Sequence, residues 1–338
     1  MSTNSPVMND WRKLFNLMAQ VGKLAPWEWM HEDDIFGFQM PGTEELGFVS
    51  VMGALGEHYS IAIYQGARGL DGFWHMQELG DEMTPETVLQ VPQLQASFED
   101  RAETTAEDRE IIKKLGLKFR GTKTWPHFRS FHPGCFPWYL EEAEAKMLIC
   151  GLEQLLEVAP RYKKNFDLFM PTDDDDDYLV RVQKNNIWED KTMHIELHEG
   201  TTLKLKMNMA ALAHLKKLMP GKAIIEVDLF MVSHPVQDNR KERPYFPYMP
   251  MICDHESRMI LSTELLTPLP TLETLWEDIP AKTVEVLAGG FTPKEIIVRD
   301  NLIKSLLEFV GEELGCKVKK SARLAAIDSA RRELNRFF

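Results

Sequence analysis

The chain has 338 residues, of which 44% are hydrophobic and 27% charged. That composition excludes a disordered or collagen-like chain and predicts about two domains of ordinary globular size. With 39 basic against 52 acidic side chains the net charge is −13, which excludes a surface coated in phosphate-binding residues but leaves room for a local basic patch.

Apolar residues at Leu14, Phe15, Leu17, Met18 and Val21 have helical spacing. Strand-like runs follow at Ile35–Met40, Phe48–Met52 and Ile61–Tyr64, punctuated by Pro41-Gly42, Gly53, Gly56 and Gly66. Gln93–Asp100 reads as a strand. Thr104–Leu115 reads as a helix with Thr104 or Thr105 as its cap and Gly116 as its stop. Trp125–Phe131 is a strand, and Tyr139–Val158 is a long helix with acids at its start and Pro160 at its end. This half, 1–165, reads as an α+β domain.

From 166 to 177 the pattern breaks. Asp173–Asp177 are five adjacent carboxylates, which repel one another and resist packing. A calcium loop alternates its oxygen ligands around a glycine turn, and this run has no glycine. The stretch predicts a solvated linker, with a C-terminal region at 178–338.

That region opens with strand-like stretches at Tyr178–Val182, His194–Leu197 and Thr202–Met207, then a helix at Ala210–Leu218 stopped by Pro220-Gly221. The series beyond is cleaner. Ala223–Val232, Tyr248–Cys253 and Met259–Leu266 are strands, the last two joined by the turn Asp254–Ser257. Helix Leu272–Ala288, strand Glu295–Val298, helix Leu302–Leu314, strand Lys317–Lys319 and helix Leu324–Phe338 follow. Three strands and then strand–helix alternation predict an α/β mixed sheet with helices on both faces.

That order matches the ribonuclease-H-like fold, and three segments extend the match. Ile224–Val232 places Asp228 inside an apolar strand. Met251–Ile260 resembles the I-D-x-x-S-R hairpin of retroviral-integrase and transposase cores, and Phe291–Asp300 resembles the strand that carries their second catalytic aspartate. The resemblance covers 223–338 and implies a carboxylate cluster holding Mg²⁺ or Mn²⁺ for phosphodiester chemistry. By resemblance Asp228 and Asp300 take the first two ligand positions. For the third, Asp328 is favoured by its place near the apolar stripe of the last helix, and Glu333 by residue type. The P-x-x-N-G-x-x-E stretch of active integrases is absent.

Plainer roles compete. Asp300, just before a helix, suits an N-cap. Asp228 needs a partner if it is buried, and Arg258 or Arg331 would serve. The C-terminal segment Lys317–Arg336 is locally basic, with Arg240, Lys241 and Arg243 as a second basic loop. Both are possible phosphate contacts, although such residues more often serve solubility and the helix dipole. No phosphate-binding glycine motif is present. His194 and His198 share a strand face without a third ligand and read as surface or packing residues.

Cys135, Cys150, Cys253 and Cys316 are widely spaced, without C-x-x-C, and read as reduced thiols. The polar first ten residues and the lack of any long apolar run predict a cytoplasmic protein with no membrane association. Pro26–Met30, Trp125–Arg129 and Pro137–Tyr139 are dense in aromatics, which either build the core or line a groove. Pro26–Met30, Val51–Glu57 and Phe119–Arg129 resemble the N-terminal module of uncharacterised bacterial two-domain proteins, which implies a layout and no activity. The expected function is a binding or scaffold protein with a degenerate integrase-like domain and an unidentified protein partner. The alternative is a metal-dependent nuclease. The missing glutamate motif, Arg331 near the inner face and the net charge favour the first.

Overall fold

The computed structural model of the chain describes residues 5–170, 172, 174–197, 202–219, 221–334 and 336. The chain divides into two compact units. One is Met1–Glu199 with Asn239–Arg243, and the other is Gly200–Asp238 with Pro244–Phe338.

The first unit runs α1 (Met8–Leu24), β1 (Phe36–Gln39), β2 (Leu46–Met52), β3 (Tyr59–Gln65), α2 (Gly66–Leu79), α3 (Pro85–Leu89), β4 (Gln93–Glu99), α4 (Ala106–Lys114), β5 (Trp125–Phe131), α5 (Glu142–Tyr162), β6 (Asp177–Lys184) and β7 (Ile187–His194). Its sheet has the order β5-β4-β3-β2-β1-β6-β7. All neighbours are antiparallel except β1 and β6. Period-two alternation sorts the side chains by face. Phe36, Phe38, Val49, Ile61, Ile63, Leu94 and Phe128 pack beneath α1 and α5. Phe48, Ala62, Tyr64 and Val180 pack on the other face with Leu70 and Phe73 of α2.

The acidic run is therefore no domain boundary. β6 begins on its last residue, Asp177, and pairs with β1 through Gly37 and Val180, so the first sheet continues beyond the expected linker. The apolar alternation of Tyr178–Val182 completes the first sheet, and sequence order alone gave it to the second half. Asp173 lies outside the described residues. Two expected strands also change. β7 ends at His194, where a strand over 194–197 was expected, and residues 202–208 hold no strand. There the amides of Lys204 and Lys206 find oxygens of Glu277, at 2.8 Å each, and need no sheet partner.

Helix α2 has no counterpart among the expected elements. Gly66, Gly69 and Gly72 depress its propensity, but Gly66 takes a positive φ at the helix start and Gly69 and Gly72 allow close packing. A Cβ on Gly69 would lie 2.8 Å from the Tyr64 carbonyl carbon and 2.9 Å from the Pro92 carbonyl oxygen. The helix therefore crosses against backbone that cannot yield. Gly69→Ala is expected to destabilise the chain by about 1–3 kcal/mol through overpacking, measured as a lower urea midpoint with an unchanged slope.

Thr105 caps α4 in a reciprocal box with Asp108. Asp108 also takes both terminal nitrogens of Arg129, at 3.0 and 2.7 Å. Burial alone would raise the Asp108 carboxyl, but the Arg129 bonds and charge and the Thr105 amide hold it below its ordinary value. A depressed carboxylate stabilises the fold above its unfolded pKa and loses that contribution as pH falls through its folded value. Asp108→Asn should therefore cost far more stability at neutral pH than at about pH 2, in urea titrations run at both.

The second unit runs α6 (Met209–Leu215), β8 (Ile224–Met231), β9 (Tyr248–Asp254), β10 (Ile260–Thr263), α7 (Leu272–Ala288), β11 (Glu295–Val298), α8 (Asn301–Leu314), β12 (Lys317–Lys320) and α9 (Ala325–Leu334). Its sheet order is β10-β9-β8-β11-β12. β9 is antiparallel to both β8 and β10, while β11 lies parallel to both β8 and β12. Ile225, Val227, Ile296 and Val298 face α6, α7 and α8 in the main core. Phe230, Met249, Met251 and Cys253 face Leu324, Ala326 and Ile327 around α9 on the opposite side. Both units are thus mixed sheets covered by helices. Among the described residues, no helix is long and apolar enough to cross a membrane.

Candidate functional site

The buried carboxylates of the second unit, Glu226 and Asp228, lie on the α9 face of the sheet. In β8 the core-facing residues are Ile225 and Val227, so alternation sends Glu226 and Asp228 to the α9 side. Both are buried, Glu226 completely and Asp228 with 1% exposure. Ionised carboxylates at such positions need partners.

Asp228 finds Arg299. The Arg299 Nε donates to Asp228 Oδ2 at 2.7 Å, Nη2 donates to Asp328 Oδ1 at 2.6 Å, and Nη1 donates to the Ala322 carbonyl at 3.0 Å. One guanidinium thus ties β8, β11 and the entry to α9. Arg331 approaches Asp228 Oδ2 at 3.7 Å and lies 4.1 Å over the Phe230 ring. Asp328 Oδ2 accepts the Leu324 amide at 3.2 Å. Two acids and two arginines sum to zero formal charge.

Burial pushes the Asp228 carboxyl above its ordinary value, and the Arg299 bond and charge pull it part of the way back. Arg299 is partly desolvated too, yet Asp228 and Asp328 leave it above its ordinary value. The two directions are one balance seen from its ends: a carboxylate with 1% exposure loses more hydration than a guanidinium with 28%.

Glu226 is tied differently. Its Oε2 accepts the amides of Ala326 and Ile327, at 2.9 Å each, and its Oε1 lies 2.6 Å from His255 Nδ1. A sheet residue thereby satisfies the open amides of the α9 N-terminus, where the helix dipole favours negative charge.

The expected site residues separate. Asp228 and Asp328 meet, through Arg299. Asp300 does not join them: its Oδ1 accepts the Ile303 amide at 2.9 Å and caps α8, and its charge is only a minor raising influence at Asp228. The physical reason is parity. β8 and β11 pair Val227 with Val298, so the next residue along, beside Asp228, is Arg299 and not Asp300. Glu333 is exposed and pairs with Arg336 at 2.9 Å. The partner of Asp228 is not Arg258, which is exposed in a left-handed turn position. Arg299 and Glu226 were missed, although both follow from alternation along Glu295–Arg299 and Ile224–Asp228. In the basic segment, Lys319 pairs with Glu295 at 2.7 Å, and Arg331 and Arg336 are engaged as above.

In the first unit, carboxylate oxygens of Asp174 and Asp177 and a ring nitrogen of His194 lie within 4.8 Å of one another, with Asp174 and His194 exposed. The bond from Asp177 to His194 raises the imidazole above its ordinary value. His198 lies outside the described residues.

Residues 11–181, just over half of the chain, match the model of a domain of unknown function, DUF7309. The chain belongs to the DUF7309 family. Residues 211–335 match a second domain of unknown function, DUF6930, so the two models together cover most of a two-domain chain. A search of curated proteins finds no match. The carboxylate cluster lies wholly within the second match.

Glu226→Ala is expected to cost about 3 kcal/mol, since it leaves two helix amides and His255 without their acceptor. Hydrogen exchange at Ala326 and Ile327 should accelerate well beyond the global change, which locates the loss at the start of α9.

Proposed function

We propose that the protein is a binding or scaffold protein of the cytoplasm whose second unit keeps a ribonuclease-H-like, integrase-like fold without its phosphodiester chemistry. The strand order supports the fold reading. The central strand β8 has antiparallel β9 on one side, with β10 antiparallel to β9 beyond it, and parallel β11 and β12 on the other, with crossover helices α7 and α8.

The observation that carries the functional reading is Arg299 between Asp228 and Asp328. In the related enzymes a carboxylate cluster holds divalent metal ions. The residues present here do not fit that group. Asp228 Oδ2 and Asp328 Oδ1 are already bonded to a cation fixed in the chain, and Asp300 is bonded to its own helix. A hard divalent ion would have to displace a charge-assisted bonded guanidinium. The four buried free thiols fit a reducing compartment.

A thermal-shift experiment tests the reading. Mn²⁺ should produce no rise in melting temperature that depends on Asp228, because Arg299 already occupies its carboxylate and that of Asp328. Asp228→Asn should destabilise by about 1–3 kcal/mol, because it weakens a buried charge-assisted pair. A Mn²⁺-dependent rise that Asp228→Asn abolishes, with the variant itself more stable than the parent, would establish the nuclease alternative.

A further inference from the structure

The first unit holds a cleft on the face of β4 and β5 turned away from α1 and α5. Leu94, Ala96 and Phe128 point into the core behind it. Alternation therefore presents Gln95, Ser97 and Glu99 of β4 beside His127 and Arg129 of β5. The chain beyond β5 folds over this floor, and Phe136, Trp138 and Tyr139 form a wall. The cleft, open to solvent on one side, has a volume of about 350 Å³, at the small end of ligand pockets. That is room for one small molecule.

The charge of the lining is one-sided. Arg129 is its single lysine or arginine, and it is fully engaged. It bonds Asp108 through both terminal nitrogens, bonds the Phe128 carbonyl at 2.7 Å, and lies 4.8 Å over the Tyr139 ring. His127 adds no positive charge at neutral pH: burial, and then the charge of Arg129, push its imidazole down to about 4. The carboxylates of Glu99 and Glu103 are not matched in this way. Among the described residues Glu99 lies 3.7 Å from the half-exposed His58 imidazole and within electrostatic reach of the neutral His127, and Glu103 is exposed. An anion entering the cleft would meet two carboxylates and no available cation. A cation would meet two carboxylates and aromatic faces, which attract positive charge. The stacking of Arg129 on Tyr139 is an example within the cleft itself.

The wall is also held in place before any ligand arrives. The Tyr139 hydroxyl bonds the Thr105 hydroxyl at 3.0 Å and Glu107 at 3.1 Å, and Trp138 packs edge-on against Tyr139 at 4.8 Å. A fixed wall lowers the ordering cost of binding.

We propose that this cleft binds a small organic ammonium compound, with its cationic nitrogen at Glu99 and Glu103 and its apolar body against Phe136 and Trp138. The carboxylates supply the preference for charge, and the aromatic wall supplies contact area.

Isothermal titration calorimetry on the full chain tests this with phenethylammonium, 2-phenylethanol and 3-phenylpropionate, which share a body and differ in charge. Phenethylammonium should bind at least about tenfold more tightly than the alcohol, and the carboxylate should not bind. The double variant Glu99→Gln/Glu103→Gln should lose about tenfold in affinity for the ammonium probe while keeping its melting temperature. A single variant at Trp138, to Leu, should weaken the ammonium and the alcohol alike. Equal or tighter binding of 3-phenylpropionate, no loss in the double variant, or no binding of any probe would overturn the proposal. Binding of Nα-acetyl-lysine methylamide as tight as that of phenethylammonium would assign the cleft to a protein side chain and overturn the small-molecule reading.

Discussion

The second unit depends on one guanidinium. Asp228 lies in the middle of a five-stranded sheet with 1% exposure, where an unpaired carboxylate would cost several kcal/mol. Arg299 answers it from the end of the neighbouring strand and reaches on to Asp328 at the start of α9. The same contact settles the pairing of β8 with β11, the docking of α9 and the charge of the inner face. Removing the carboxylate would leave a half-buried cation, and removing the cation would leave a buried anion, so neither residue is free to change alone.

Glu226 extends this logic by one turn of the pleat. It shares the face of Asp228, two residues earlier, and receives the first amides of α9. The last helix is therefore held by a carboxylate at its N-terminus and by the Arg299–Asp328 contact within its first turn, in addition to Leu324, Ala326 and Ile327 in the apolar contact. Two buried acids in one strand look like catalytic equipment. In this chain their partners are a helix terminus and a guanidinium, and those bonds tie α9 to the sheet.

Much of this arrangement was legible in the sequence. The strand–helix alternation from Ala223 onward carried strong apolar periodicity and clean stops, and helix Leu272–Ala288 and strand Glu295–Val298 fall where that pattern puts them. The burial of Asp228 followed from its apolar strand. The first unit was less legible, because sequence order does not state which strands pair. Tyr178–Val182 reads as a strand wherever it is placed, and only its parallel contact with β1 assigns it to the first sheet. Helix α2 was hidden by glycines that close packing demands. At the candidate site, residue type misled where parity would not have. Asp300 attracts notice as an acid near a strand end, yet one step of alternation separates it from the face of Asp228 and brings Arg299 there instead. The aromatic segments divided their roles, with Met30 and Phe128 in the core and Trp138 and Tyr139 at the cleft.

A double-mutant cycle on Asp228 and Arg299 measures the central contact most directly. Urea unfolding of the parent chain, Asp228→Asn, Arg299→Gln and the double variant gives the coupling free energy. The account predicts a coupling of about 1–3 kcal/mol, with the double variant much less damaged than the sum of the single variants. Additive losses, within about 0.5 kcal/mol, would contradict it. The two side chains would then stabilise the unit independently, and Asp228 would need another partner.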